Sequence, residues 1–265
     1  MAHTRSYHEV REALSLPGCP ICRLNAAAAQ RYLDGLLWEL VNDYGVRARI
    51  RKARGFCNLH AWLLARQQSP ALGVSIIMKD VLDTLLAATA SSPMNGALAR
   101  RRLRETLGVE RAAPGRPAAV RLEGEEECPA CAHVRQLETI YLRTLAGNLI
   151  GESSLEPLYR ASDGLCLPHF RQCLLSVSDE EAVQALLNAQ RAVWERLSAQ
   201  LGEFIRKNDY RFRDEPFGEE GDAWMRSLGA LSGENPCLTP FRDTRSRPVP
   251  ANSDGLPVES NLSEP

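Results

Sequence analysis

The 265-residue sequence lacks long hydrophobic runs. Nowhere do about 18 consecutive apolar residues occur, so no segment has the composition of a membrane-spanning helix. The opening stretch, MAHTRSYHEVREALSLPGCP, contains no apolar core of the length that a signal peptide needs. We therefore expect a soluble, cytoplasmic protein without a membrane partner.

The sequence also lacks the motifs of common enzyme classes. It contains no Walker A loop, no GxGxxG fingerprint and no GxSxG elbow, and neither His60 nor His169 belongs to an HExxH or HxE motif. Missing motifs are weak evidence, but they argue against an enzyme.

Strand-like alternation of apolar and polar residues is absent over any useful length. Aromatic residues make up only 6% of the chain, whereas Ala and Leu recur throughout, which favours helices over a β-sandwich. The sequence predicts an all-α fold.

The cysteines reveal an internal repeat with an offset of 109 residues. A CPxC motif occurs twice, and each copy is followed, 35 residues after its second cysteine, by the C of a G-[FL]-C-x-x-H motif. Tyr32 and Leu33 align with Tyr141 and Leu142, and Gly55 aligns with Gly164. This correspondence indicates a duplication.

Each repeat is predicted to contain three helices. Apolar residues from Leu24 to Tyr44 recur at helical spacing, which places CPxC at a helix start, where Pro20 suits the first turn. A second helix begins at CxxH, and a third covers about 71–90 in the first repeat. In the second repeat the third helix is announced by a capping box at Ser178 and ends near Lys207.

The predicted organisation is a first repeat at residues 1–92, a linker with a short helix (Ala97–Leu107) at 93–127, a second repeat with a C-terminal helix at 128–232, and a disordered tail at 233–265.

Three thiols and one imidazole in each repeat match a closed tetrahedral Cys₃His zinc site. The sequence analysis assigns each CPxC to the CxxH of its own repeat. This assumes that the chain between Tyr44 and Arg54 returns along the first helix as an extended segment. The predicted metal ligands are Cys19, Cys22, Cys57 and His60 in one site, and Cys128, Cys131, Cys166 and His169 in the other.

Alternatives remain beside two structural Zn²⁺ sites. Cysteine is often a small buried apolar residue, an iron–sulfur cluster with one His ligand is a minor possibility, and a CPxC pair at a helix start can act as a redox dithiol. Cys173 is expected in the core and Cys237 as a lone surface thiol, whereas His3, His8 and His133 are expected to be solvated.

Charge is divided unevenly along the chain. Residues 1–120 contain 17 Lys and Arg against 9 Asp and Glu, and residues 121–265 contain 15 against 24. Halves that attract each other explain this more simply than a partner does. Nonspecific nucleic-acid binding is the alternative, through the basic run formed by Arg47, Arg49, Arg51, Lys52 and Arg54. The acidic segment around Glu219, with its aromatic residues, is expected to cover the core.

The paired CPxC…GFCxxH motifs, followed by FIRKNDYRFRDEPFGEEGDAW, resemble an uncharacterised family of bacterial proteins over about residues 8–232. The resemblance implies no activity, but the eight motif residues are that family's hallmark. The sequence thus predicts a zinc-binding helical protein that binds or scaffolds an unknown protein partner. A thiol-based redox or metal-responsive sensor and a nucleic-acid adaptor are the alternatives.

Overall fold

The computed structural model describes residues 4–90, 115–212 and 214–234, and every regular element within these ranges is a helix. The first part contains α1 (Arg5–Leu14), α2 (Pro20–Glu39), α3 (Tyr44–Lys52), α4 (Asn58–Ala65) and α5 (Ala71–Ala90). The second contains α6 (Arg116–Leu122), α7 (Pro129–Gly147), α8 (Glu156–Ala161), α9 (Leu167–Ser176), α10 (Glu180–Lys207) and α11 (Ala223–Ser232), with 3₁₀ turns at Tyr210–Phe212 and Glu219–Asp222. In the part of the chain described, no helix combines the length and apolar character that a membrane crossing requires.

The helices confirm the all-α class and follow the 109-residue offset, because α2, α3, α4 and α5 correspond in order to α7, α8, α9 and α10. The offset also relates α6 to α11, so each repeat has five such helices, not the three predicted. One of the additional helices in the first repeat is α3, in the stretch expected to be extended. It forms because the Asp43 carboxylate caps it, accepting a hydrogen bond from the Val46 N–H at 2.7 Å.

The predicted helix ends were mostly close. The helix α5 has the predicted bounds, whereas α2 stops at Glu39 and α10 is capped by Asp179, whose carboxylate accepts from the Ala182 N–H, and not by Ser178. The short helix predicted near residue 100 and the tail beyond residue 234 lie outside the described residues. The division into repeats, linker and tail stays a prediction.

The long helices α2 and α7 pack against each other in opposite directions. Asn25 of α2 donates a hydrogen bond to Glu138 of α7 at 3.0 Å, and further along α2 the Tyr32 ring stacks on His133, with ring centroids 5.0 Å apart. Residue numbers rise along one helix as they fall along the other, so the pair is antiparallel. The two CPxC motifs, each at a helix start, therefore lie at opposite ends of the pair.

Each hydrophobic core combines the two repeats. One core joins α1 and the start of α2, including Ile21 and Leu24, to the second half of α7 and to α8, α9 and α10. The other joins the end of α2, including Leu33 and Leu36, to α3, α4, α5 and to Ala130 in the first turn of α7. The first turn of each long helix thus lies in the core that contains the other repeat's CxxH helix.

The acidic segment after α10 folds back onto that helix, but Phe217 is 50% exposed and Trp224 48% exposed, so these rings do not cover the core as predicted. The Phe217 ring lies 5.2 Å from that of Phe204, and Glu220 pairs with Lys207 at 2.6 Å. The Gly218 N–H and the Lys207 ammonium together lower the pKa of Glu220 to about 2.

Candidate metal centres

The two CPxC motifs have the same local geometry at the starts of α2 and α7. Cys19 and Cys128 are the N-cap residues, with ψ angles of 120° and 123°, and Pro20 and Pro129 occupy the first helical turn. A proline is tolerated there because the first-turn N–H has no partner within the helix. Each motif therefore presents two thiols, one from the cap and one from the first turn.

The two CxxH motifs begin α4 and α9 in the same manner, with Cys57 and Cys166 as N-caps. A glycine with positive φ precedes each of them, Gly55 at 101° and Gly164 at 65°. Residues that carry a side chain rarely adopt a positive φ, which explains why a glycine occupies this position in both turns. The predicted positions of all four motifs at helix starts are confirmed.

The structure groups the eight motif residues into two clusters, in each of which the ligand atoms all lie within 4.8 Å of one another. Site A consists of Cys19, Cys22, Cys166 and His169. Site B consists of Cys57, His60, Cys128 and Cys131. Each site joins the CPxC of one repeat to the CxxH of the other, so the predicted pairing within each repeat is wrong.

Helix length explains this exchange. CPxC lies at the start of α2, and a 20-residue helix is about 30 Å long, so α3 and α4 follow at its far end. For pairing within the repeat, the chain would have to retrace that distance. The antiparallel α7 instead places its own start, with Cys128 and Cys131, at the far end of α2 beside Cys57.

In each site, four of the six distances between candidate ligand atoms are near or slightly below the edges of a zinc tetrahedron. Zinc bonds of normal length give edges of about 3.8 Å between two sulfur atoms and about 3.6 Å between sulfur and nitrogen. In site A, the Cys22 and Cys166 sulfurs are 3.7 Å apart, and the His169 Nδ1 lies 3.5, 3.4 and 3.1 Å from the three sulfurs. These thiols are not joined in a disulfide.

Site B has the same dimensions. The Cys57 and Cys131 sulfurs are 3.6 Å apart, and the His60 Nδ1 lies 3.2, 3.6 and 3.3 Å from the sulfurs of Cys57, Cys128 and Cys131. In both sites the histidine therefore turns Nδ1 towards the thiols. Such donor sets fit a tetrahedral ion with soft ligands.

The second ring nitrogen of His169 lies near polar groups of the α2–α7 pair. Its Nε2 lies 3.7 Å from a carboxylate oxygen of Glu138 and 3.4 Å from Asn25, which itself bonds that carboxylate. A carboxylate behind a histidine ligand fixes the ring orientation and makes the ligating nitrogen more basic. The sequence analysis did not identify Asn25 or Glu138, because neither lies in a motif.

Two buried polar side chains, those of Tyr159 and Gln190, hold the second CxxH turn in place. The Leu165 N–H donates to the Tyr159 hydroxyl at 3.2 Å and to the Gln190 side chain at 3.1 Å, and the Tyr159 hydroxyl donates to the same Gln190 oxygen. The residues at these positions in the first repeat are Ile50 and Val81, both buried. The two CxxH turns are thus supported by different chemistry.

Ligand thiols and histidine shift one another's pKa. Burial raises the pKa of Cys19 well above its usual value and that of Cys131 to about 12. Hydrogen bonds from Cys19 and Cys22 lower the pKa of Cys166. Burial alone would lower the pKa of His169, but its contact with Cys166 raises that pKa to about 10.

Most side chains outside the two clusters have the predicted environments. Cys173 is fully buried, and burial raises its pKa to about 12, so its predicted place in the core is confirmed. His8 is exposed. His133 was expected in solvent but is half-buried against Tyr32. His3 and Cys237 lie outside the described residues.

The basic run before Cys57 pairs with groups of the same chain. Arg47 and Arg51 both contact Asp80, at 3.1 and 2.5 Å, and Lys52 contacts Glu126 at 3.0 Å. Of these pairs, only Lys52–Glu126 joins the two halves of the chain, whereas Arg47 and Arg51 pair with Asp80 of their own half. Binding of nucleic acid by this run stays a prediction.

Comparison with known proteins places the chain in a family. No solved structure matches it. A protein of Caldicellulosiruptor sp. (strain Rt8B.4), described as an uncharacterised 23.9 kDa protein in the xynA 3′ region, is 25% identical over 216 residues, which cover 81% of this chain and 95% of that protein. A family model of unknown function, DUF6062, matches residues 9–237, a range that includes all eight cysteine and histidine residues of sites A and B. The resemblance to an uncharacterised bacterial family is thereby confirmed, and the chain belongs to DUF6062.

Proposed function

We propose that sites A and B each hold one structural Zn²⁺ and that the protein is a helical scaffold for a protein partner in the bacterial cytoplasm. The observation that supports this proposal is the spacing of the ligand atoms, which in both sites approximates the edges of a zinc tetrahedron. Four protein ligands complete the tetrahedral shell, as in structural zinc sites, whereas catalytic sites keep one position for water.

The scaffold role follows from what each ion would connect. In site B, Cys57 and Cys131 are 74 residues apart, and in site A, Cys22 and Cys166 are 144 residues apart. A metal bound at either site would cross-link the two repeats at one end of the α2–α7 pair. Two such cross-links would fix the relative position of all the helices that form the protein surface.

Metal content per chain tests the proposal. The protein should be purified without a metal-affinity tag, analysed for metals and examined by absorption spectroscopy. We expect two zinc ions per chain and a colourless sample, and substitution by Co²⁺ should produce the visible absorption of tetrahedral thiolate coordination. Iron with visible absorbance would indicate an iron–sulfur centre in place of zinc. Absence of metal, with thiols that titrate as free groups, would refute the proposal.

A further inference from the structure

The two metal sites differ in how well their sulfur atoms are covered. In site A, Cys19 is 5% exposed and Cys166 is 1% exposed, whereas Cys22 is half-buried. In site B, all three cysteines are only half-buried. A reagent in solution therefore has better access to the sulfurs of site B.

The cover on site A comes from the chain just after α11. A Cβ atom placed on Gly233 would lie 3.7 Å from the sulfurs of both Cys166 and Cys22, so the backbone passes directly over them. The next residue, Glu234, donates its N–H to the Cys22 sulfur at 3.4 Å, and its carboxylate accepts from the Cys19 N–H at 3.2 Å. This segment, which we call the Gly233–Glu234 strap, shields site A, and its Glu234 N–H is hydrogen-bonded to the Cys22 sulfur.

The equivalent residues of the first repeat, 109 positions earlier, are Gly124 and Glu125. Their contacts are different. The Glu125 N–H donates to the Lys52 carbonyl at 2.8 Å, and a Cβ on Gly124 would lie 3.0 Å from the Ala53 carbonyl oxygen. This segment thus binds the end of α3, where its counterpart binds the sulfur of a ligand.

Within site B, Cys57 and Cys131 are the pair best placed to react. The Cys57 and Cys131 sulfurs lie 3.6 Å apart.

We propose that site B is an oxidation site, where a hydroperoxide converts Cys57 and Cys131 to a disulfide and releases the zinc ion, while site A keeps its metal. This inference rests on the proposed zinc sites. One thiolate attacks the peroxide, the O–O bond breaks, and a sulfenic acid forms with loss of hydroxide or alkoxide. The second thiolate then attacks that sulfur and displaces hydroxide. With hydrogen peroxide and two protons, the products are one disulfide and two water molecules.

Peroxide titration of the zinc-loaded full-length protein tests this. Two zinc ions per chain must be measured first, because their absence would refute the proposed function and this inference with it, whereas a failure of the steps below with two zinc ions bound would overturn this inference alone. Hydrogen peroxide is then added while a colorimetric zinc indicator and peptide mass spectrometry record metal release and disulfides. We expect one zinc to be released together with a Cys57–Cys131 disulfide, and a reductant with added zinc to restore both. Simultaneous loss of both ions, a disulfide in site A first, or no release would overturn the proposal.

A variant of the strap provides a second test. Glu234→Pro removes the N–H that bonds the Cys22 sulfur, whereas the control Glu234→Ala keeps it. We expect the proline variant to lose zinc from site A about tenfold faster under peroxide, as expected for one lost hydrogen bond to a charged sulfur. The alanine variant is the reference for this comparison, because both variants lose the carboxylate that accepts from the Cys19 N–H and only the proline variant also loses the N–H. Unchanged release from site A in the proline variant would contradict the role of the strap.

Discussion

Removal of both cysteines from one CPxC motif should expose a thiol of the other repeat. In the variant Cys128→Ser/Cys131→Ser, site B loses two of its four ligands, and the cross-repeat arrangement predicts that Cys57 becomes reactive. Pairing within each repeat would instead expose Cys166. The identity of the newly reactive thiol therefore decides between the two arrangements without requiring a solved structure.

The same substitution removes a cross-link whose size can be read from the structure. Cys57 and Cys131 are 74 residues apart, and closing a loop of that length in the unfolded chain corresponds to about 4 kcal/mol in the chain-entropy description. In the presence of zinc, the free energy of unfolding should thus fall by up to about 4 kcal/mol. Zinc content should fall from two ions per chain to one.

Iodoacetamide labelling of the native zinc-loaded proteins, followed by peptide mass spectrometry, provides the assay. The reciprocal variant Cys19→Ser/Cys22→Ser should expose Cys166, and labelling common to both variants cancels in the comparison. Cys173→Ser is the matched control, because this buried cysteine is no ligand and its loss should leave both zinc ions bound. Labelling of Cys166 in the first variant and of Cys57 in the second would refute cross-repeat pairing.

Three further substitutions test how the sites and the fold are supported. Glu138→Gln should weaken zinc binding at site A about 10- to 100-fold and leave site B unchanged, as measured by chelator competition, because it removes the carboxylate behind His169. Gly164→Ala should lower the free energy of unfolding by about 1–3 kcal/mol, and by more than Gly55→Ala does. Both positions have positive φ, but only at Gly164 would the new Cβ meet a side chain, at 3.0 Å. Equal losses in urea denaturation would contradict this. Glu220→Gln should remove a pH-dependent contribution to the free energy of unfolding. The pKa of Glu220 is lowered from 4.5 to about 2, so the ionised carboxylate stabilises the fold fully above pH 4.5, and this stabilisation is lost as the pH falls towards 2. The stabilities of wild type and variant should converge at the acidic end, and a difference that is constant with pH would count against the assignment.

Much of the local structure could be predicted from the sequence because the repeat supplies two independent copies of each signal. CPxC has proline where a first helical turn accepts it, and CxxH follows a glycine in both repeats. The helix α5 was predicted with its observed ends. Short-range rules of this kind depend on neighbours in the chain and so survive without a three-dimensional structure.

The pairing of the motifs could not be predicted in this way. A duplication with one offset leaves Cys19 equally related to the CxxH of either repeat, because exchanging the partners preserves the chemistry of both sites. Helix length was the available clue. An α2 of about 30 Å separates CPxC from its own CxxH, and the predicted extended return was needed only because the partner was assumed to lie in the same repeat.

Supporting residues were missed for a different reason. The carboxylate of Glu138 and the Tyr159–Gln190 pair act through tertiary contacts, and their equivalents in the other repeat are Ala29, Ile50 and Val81. A search for similarity between repeats overlooks positions where the copies differ. A polar residue in one repeat that aligns with a buried apolar residue in the other is the signal that could have identified these supporting residues, since a polar side chain in a core needs a partner.

Cross-repeat pairing would give metals bound at sites A and B a role that sites within the repeats would not have. A site confined to one repeat would stabilise that repeat alone and leave its position against the other to packing. Sites A and B each need the start of one long helix beside the CxxH of the other repeat, so neither can assemble until α2 and α7 lie antiparallel. The free energy of metal binding then stabilises the arrangement of the repeats. If peroxide opens site B, the Cys57–Cys131 disulfide would keep the two repeats joined there, but Cys128 and His60 would no longer be held by the metal, while site A would keep its own metal at the other end of the α2–α7 pair. The surface formed by both repeats would then change without unfolding of the whole protein, which is the behaviour expected of a scaffold whose partner binding depends on oxidation.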